Sequence, residues 1–267
     1  MAIAKQNYIS YKLLMIDITL YIESFAACGP QIGCVENINE LQNDGLQQDE
    51  EWQPDTSFIP KRTFRRISRL SKMSLYAAHY AEKAVSQDDL GASIFCSRYG
   101  EIDHTVKVLN AIHEKDFISP MDFSYSVHNT GQGLYSIFKG DVKPATVISS
   151  RYDCIEQAMV KAYAQLRGGD KTVLIVYAED KIPKVFHSLI GDVVTPLAFG
   201  FTVSLSSHNT HRKISLRSVK NENQVSDKDG YDNIHAHKLM RLIAKKDGGE
   251  CTLNTDRLTW TIGVADA

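Results

Sequence analysis

The sequence predicts an α/β fold, a sheet with helices against both of its faces, and three observations support this. Short apolar runs of strand character, among them "GASIFC", "PATVIS" and "KTVLIVYAED", alternate with helical stretches at crossover spacing. The last of these runs is apolar without interruption, the pattern of a strand covered on both sides. Composition agrees: 43% hydrophobic and 23% charged residues over 267 positions is ordinary for a globular chain that buries a core.

The elements follow in order. "MIDITLYIESF", Met15 to Phe25, is rich in Ile and Tyr and reads as the first buried strand, with residues 1–14 as an extension ahead of it. The polar, acidic stretch "NINELQNDGLQQDEEWQPDTSFIP" contains Pro54 and Pro60 and reads as a surface excursion. In the basic helix "KRTFRRISRLSKMSLYAAHYAEKAV", Ile67, Leu70, Ser74, Ala77, Ala81 and Ala84 recur at helical spacing. A face of such small residues lets a helix approach its neighbours closely.

"GASIFCSRYG" is a second buried strand, and "DHTVKVLNAIHEKD" an amphipathic helix with Val106, Leu109 and Ile112 inward. "SPMDFSYSVHNTGQGLYSIFKG" is a proline-opened loop leading into a small-residue helix, and Gly140-Asp141 turns the chain into "PATVIS". Asp153 to Leu166 forms a helix stopped at Gly168-Gly169. Beyond Pro183 the character shifts. "PLAFGFTVSLSS" and "RKISLRSV" read as a strand pair, "NIHAHKLMRLIAKKDGG" as a helix closed by Gly248-Gly249, and "RLTWTIGV" as a final strand.

A formal net charge of −2 argues against a dedicated nucleic-acid binder. Cys28, Cys34, Cys96, Cys154 and Cys251 are scattered without a CxxC pair, which suits reduced thiols in a cytoplasmic protein and offers no metal site. "GQG" at Gly131–Gly133 is followed by neither the rest of GxGxxG nor a Walker lysine, so no cofactor is expected. The apolar amino-terminal stretch is interrupted by Asp17 and Glu23, which argues against a membrane span or a secretory core.

Three strings in sequence, "SPMDFSYSVHNTGQGLYSI", "PATVISSRYDCIEQA" and "GGDKTVLIVYAED", resemble the amino-terminal half of a β-ketoacyl synthase. With "SRYGEIDHTVKVLNAI", they are more closely similar to the short ketosynthase-like chain length factors of aryl polyene biosynthesis in Gram-negative bacteria. The resemblance is carried by residues 15–180, with 181–267 as a divergent carboxyl-terminal part of one domain, 15–267. It implies a thiolase-like, layered α-β-α fold with a mixed sheet.

Two departures from that family bear on function. Ketosynthases carry a cysteine among small residues at the turn between strand and helix, where the helix field favours a thiolate. By resemblance that position falls on Ile148 or, one residue on, Ser149; Cys154 should lie about a helical turn further in, pointing away from the mouth. Arg151 and Tyr152 stand where small residues are wanted, and their bulk would fill the acyl chain's place. The family's second half, with two catalytic histidines, has no room in this length; "SSHNTHR" offers His208 and His211 but lacks the glycine-rich setting.

The resemblance therefore implies a non-catalytic subunit that pairs with a full-length β-ketoacyl synthase and limits acyl or polyene chain length, meeting an acyl carrier protein through the complex. Ala145, Thr146, Val147 and Ile148 would form the edge strand of the dimer. Met121, Phe123 and Tyr125 would close the end of the partner's tunnel. The basic run that includes Arg62, Arg65, Arg66 and Arg69 reads as a solvated helix start, as a docking face for an acidic carrier or, against the acidic overall balance and without interleaved aromatics, as a nucleic-acid contact. The alternative is an independent serine acyltransferase or hydrolase using Ser149 or Ser150, with His128-Asn129 as base or oxyanion group. Against it, GxSxG is absent, and Ser149, Ser150 and Asp153 suit a helix cap.

Overall fold

A computed structural model describes residues 14–41, 51–60, 67–190, 195–206, 212–221 and 234–267. Its elements begin with β1 (Leu14–Gly29), β2 (Gly33–Val35), α1 (Arg69–Glu82), β3 (Leu90–Cys96), α2 (Ile102–Glu114), α3 (Pro120–Tyr125), α4 (Thr130–Lys139) and β4 (Ala145–Ile148). They continue with α5 (Cys154–Arg167), β5 (Thr172–Glu179), α6 (His187–Ile190), β6 (Leu197–Ser204), β7 (Arg212–Lys220), α7 (Ile234–Ala244), β8 (Gly249–Asn254) and β9 (Leu258–Asp266).

The strands form one sheet in the order β4-β3-β5-β6-β1-β7-β9-β8, with β2 paired to the end of β1. β3 runs parallel to both β4 and β5, and every other pairing is antiparallel, so the sheet is mixed. The strand β5 shows why its sequence is apolar throughout. Val173, Ile175 and Tyr177 face one core with Ala158 and Met159 of α5 and Leu239 and Met240 of α7. Leu174, Val176 and Ala178 face the opposite core with Met73 and Ala77 of α1. Helices therefore lie on both faces, in the layered thiolase-like arrangement.

The small face of α1 is used as its spacing predicts up to Ala81: Ser74, Ala77 and Ala81 are buried, Ala77 and Ala81 in the core against the sheet and Ser74 beside Gly131 of α4. The approach is so close that a Cβ on Gly200 of β6 would lie 2.6 Å from the Ala77 carbonyl oxygen. Only glycine fits there. Ala84 lies past the helix end and is exposed, which corrects its placement on that face.

Four further expectations are corrected. β1 runs on to Gly29 and already includes Leu14. β6 and β7 are both strands, but β1 lies between them, so they are not a pair. "GGECTLN" supplies β8, an edge strand whose mostly exposed, weakly apolar residues gave no strand pattern. Leu109 and Ile112 of α2, expected inward, are 52% and 56% exposed, because the helix packs on α3 rather than on the sheet.

Candidate functional site

The turn after β4 is built by the parallel pairing of β4 with β3, which sets Ile148 beside Cys96. The Ser97 N–H donates to the Ile148 carbonyl at 3.2 Å, holding the two strand ends together where the chain bends. Beyond it, the Ser149 hydroxyl donates to the Arg98 carbonyl at 3.0 Å. Ser150 is tied twice to the start of α5: its N–H donates to Cys154 Sγ at 3.1 Å, and the Cys154 thiol donates to its carbonyl at 3.0 Å. Its hydroxyl hydrogen-bonds to Asp153.

Asp153 stands at the N-cap of α5 but makes no side-chain cap hydrogen bond. Its carboxylate instead accepts from the buried Trp260 indole at 3.0 Å and from Gln157 at 3.1 Å. The capping role expected of these residues is thus replaced by a tie between the turn and β9. Sequence alone could not show this, because Trp260 lies 107 positions away.

Cys154 is the first residue of α5, buried in the core, and its thiol folds back onto Ser150. Burial pushes the thiol up to about 12, with the Ser150 hydrogen bond opposing. At neutral pH it is therefore a thiol, not a nucleophilic thiolate. Ile148 carries no reactive group, and neither Ser149 nor Ser150 has an imidazole among its hydrogen-bond partners in the described residues.

His128 lines a cavity of about 30 Å³ with Cys96, Ser97, Gly100, Glu101 and Val147 of β4. Burial holds its imidazole below the usual range, opposed by backbone groups of Ser97 and Arg98. Gly100 adopts φ +56°, and a Cβ there would come within 2.9 Å of the His128 ring, so the loop needs glycine on both counts.

Sequence reasoning missed the group that organises this loop, Glu179 at the end of β5. It is buried and accepts from the Arg98 N–H at 2.7 Å, the Tyr99 N–H at 3.3 Å and the Ser97 hydroxyl at 3.3 Å. Burial raises its carboxyl to about 7, against these hydrogen bonds and the Arg98 charge, which lower it. The available signal was a carboxylate closing an otherwise apolar run.

Arg151 and Tyr152 do not fill an interior space. The Arg98 and Arg151 guanidinium groups lie 5.4 and 4.9 Å from the centre of the Tyr152 ring, and Arg151 is 3.9 Å from Asp256. Both line an open surface cavity of about 750 Å³ between the turn and the β8–β9 connection.

Among the described residues β4 is the last strand of the sheet and pairs only with β3; Ala145 is exposed and Thr146, Val147 and Ile148 are half-buried. The carbonyls of Pro144 and Ile148 accept from the N–H groups of Ser93 in β3 and of Ser97 just past its end. With a strand period of two, Ala145 and Val147 therefore turn their backbone groups toward the open edge. Exposed apolar side chains lie along the segments before it, including Leu109, Ile112, Phe117, Phe123, Ile137 and Val142.

On α3, Phe123 is 60% exposed, whereas Met121 and Tyr125 are half-buried and Tyr125 packs against the core beside His104. Arg69 is engaged inside the chain: its guanidinium grips Asp180 through Nε at 3.1 Å and Nη2 at 2.6 Å. Arg62, Arg65 and Arg66, and likewise His208 and His211, lie outside the described residues. No group of three or more His, Cys, Asp or Glu among the described residues is placed to hold a metal, and none of the described helices is long and apolar enough to cross a membrane.

A layered α-β-α sheet with a strand-turn-helix beside an open edge defines the thiolase-like ketosynthase fold. The sequence model described as Beta-ketoacyl synthase, N-terminal domain, matches residues 39–261, and the chain belongs to that family. Among curated proteins, no sequence matches it. Solved structures match well in fold. One is a chain from the complex of the ketosynthase ApeO with its chain length factor ApeC from Xenorhabdus doucetiae, at TM-score 0.71 and 19% identity, covering 92% of this chain and 99% of that one. Another is from AntDE:AntF, a type II polyketide synthase acyl-carrier protein with its ketosynthase, at TM-score 0.66 and 12% identity, covering 93% and 99%. A chain of the ishigamide ketosynthase/chain length factor matches at TM-score 0.59 and 13% identity, covering 77% and 68%. The family match includes most of the segment beyond residue 180, where the sequence resemblance is weak.

Proposed function

We propose that this chain is a non-catalytic, chain-length-factor-like subunit that pairs through β4 with a full-length β-ketoacyl synthase and limits acyl or polyene length in aryl polyene biosynthesis. The observation that carries the reading is the turn after β4: its one thiol is buried, protonated and bonded to Ser150, directly beside an unpaired strand edge. Bond-making then belongs to the partner, whose cysteine accepts the acyl group and condenses it with a decarboxylated malonyl unit on the carrier protein. The open edge supports the pairing on physical grounds, since exposed backbone donors and acceptors in a large sheet call for cover. Likeness in fold to chains of ketosynthase–chain length factor complexes supports it independently.

The competing serine acyltransferase or hydrolase reading gains nothing from the geometry, because Ser149 and Ser150 donate to local acceptors and neither has an imidazole partner among the described residues. The test has two arms. Coexpression with a full-length ketosynthase of an aryl polyene cluster should give a stable heterodimer whose products change length when this chain is withheld. Incubating the chain alone with acyl thioesters should give no covalent adduct by mass spectrometry, and Ser149→Ala should leave product output of the complex unchanged. A stoichiometric adduct on either serine would falsify the non-catalytic reading.

A further inference from the structure

The cavity of about 750 Å³ at the mouth of the turn has the size of a small-molecule site. Its walls come from three distant parts of the chain: the turn before α5, the end of β7 at Lys220 and Asn221, and the connection of β8 to β9. That connection is firm. Thr255 is buried, its hydroxyl accepts from the Leu258 N–H at 3.0 Å, and the Asn221 side chain donates to its carbonyl at 2.8 Å.

The charge around the cavity is lopsided. Arg151, Lys220 and Arg257 line it, and among the described residues neither Lys220 nor Arg257 has an ion-pair partner. Of the acids there, Asp256 lies 3.9 Å from Arg151, and Asp153 is turned to Trp260, Gln157 and Ser150. The same wall holds the amino-terminal end of a fourteen-residue helix, whose field also favours negative charge. Tyr152 and Leu258 add apolar surface.

The geometry points to a binding site for an amphiphilic organic anion, a carboxylate or phosphate head on a short apolar body. The head sits toward Lys220 and Arg257 at the start of α5, and the body lies on Tyr152 and Leu258. The site belongs to this chain alone and does not depend on a ketosynthase partner, so its failure and the failure of the subunit reading are separable.

The test is calorimetric titration of the full chain with hexanoate, hexyl phosphate, hexanol and inorganic phosphate. At least one of the two anions should bind saturably, about tenfold or more tighter than hexanol and than inorganic phosphate. The exposed double variant K220Q/R257Q should keep its thermal melt and lose about tenfold or more in affinity. Added salt should weaken the wild-type binding, since the head is held by exposed charges. An advantage of less than about tenfold over hexanol and inorganic phosphate for both anions, an unchanged affinity in the double variant, or no saturable heat from either anion would each overturn the site.

Discussion

At Glu179 a single carboxyl ties the loop 97–100 to the end of β5, and its titration has a sign that can be worked out. Its folded value is raised to about 7 from the ordinary 4.5. Below 4.5 both folded and unfolded chains carry the proton. Between 4.5 and about 7 the unfolded chain releases it while the folded chain keeps it, so stability falls as pH rises through this window. The span corresponds to about 3 kcal/mol. Glu179→Gln removes the titration and keeps the shape. Urea denaturation should therefore show wild type losing about 3 kcal/mol relative to the variant between pH 4.5 and pH 8. Parallel stability curves for the two proteins would show that Glu179 is already ionised in the fold.

Among the elements, β4 and α3 carry the interface reading. The Val147 N–H faces the open edge and not β3, and proline is tolerated at such edge positions. Val147→Pro should leave the melt of the isolated chain within a few degrees of wild type and abolish pull-down of the full-length ketosynthase. Retained pull-down would move the interface away from β4. On α3, Phe123 is the largely exposed aromatic, while Tyr125 is committed to the core. Phe123→Ala should lengthen the products of the reconstituted complex by opening space at the tunnel end, read by mass spectrometry of the released chains. Met121 and Tyr125 substitutions should cost stability more than they change length; if replacing all three leaves product length unaltered, α3 does not gate.

For the molecule as a whole, apolar side chains exposed between residues 109 and 142 accompany an open strand edge. An interface of that composition is insensitive to screening, in contrast to pairing through surface charge. Size-exclusion chromatography of the coexpressed complex should show the heterodimer surviving about 1 M salt, where the Debye length is roughly 3 Å. Dissociation there would assign the association to the basic residues instead. Periodicity made the helix α2 and its apolar face legible, but an amphipathic helix packs its apolar side against whatever is offered. A sequence does not distinguish this chain's core from a second polypeptide.

The amino-acid order by itself determined the alternation of strands and helices, the double-sided burial of β5, the small face of α1 and the absence of a cysteine where β4 ends. Each of these depends on local spacing and side-chain type. Only the tertiary structure decided that β1 separates β6 from β7, that Asp153 reaches Trp260 instead of capping α5, and that Cys154 turns back onto Ser150. It also decided that Arg151 and Tyr152 line an open cavity. These outcomes depend on contacts between residues far apart in the chain, and such pairings are chosen by global packing and by the hydrogen-bonding demands of buried polar groups, which no short window of sequence contains.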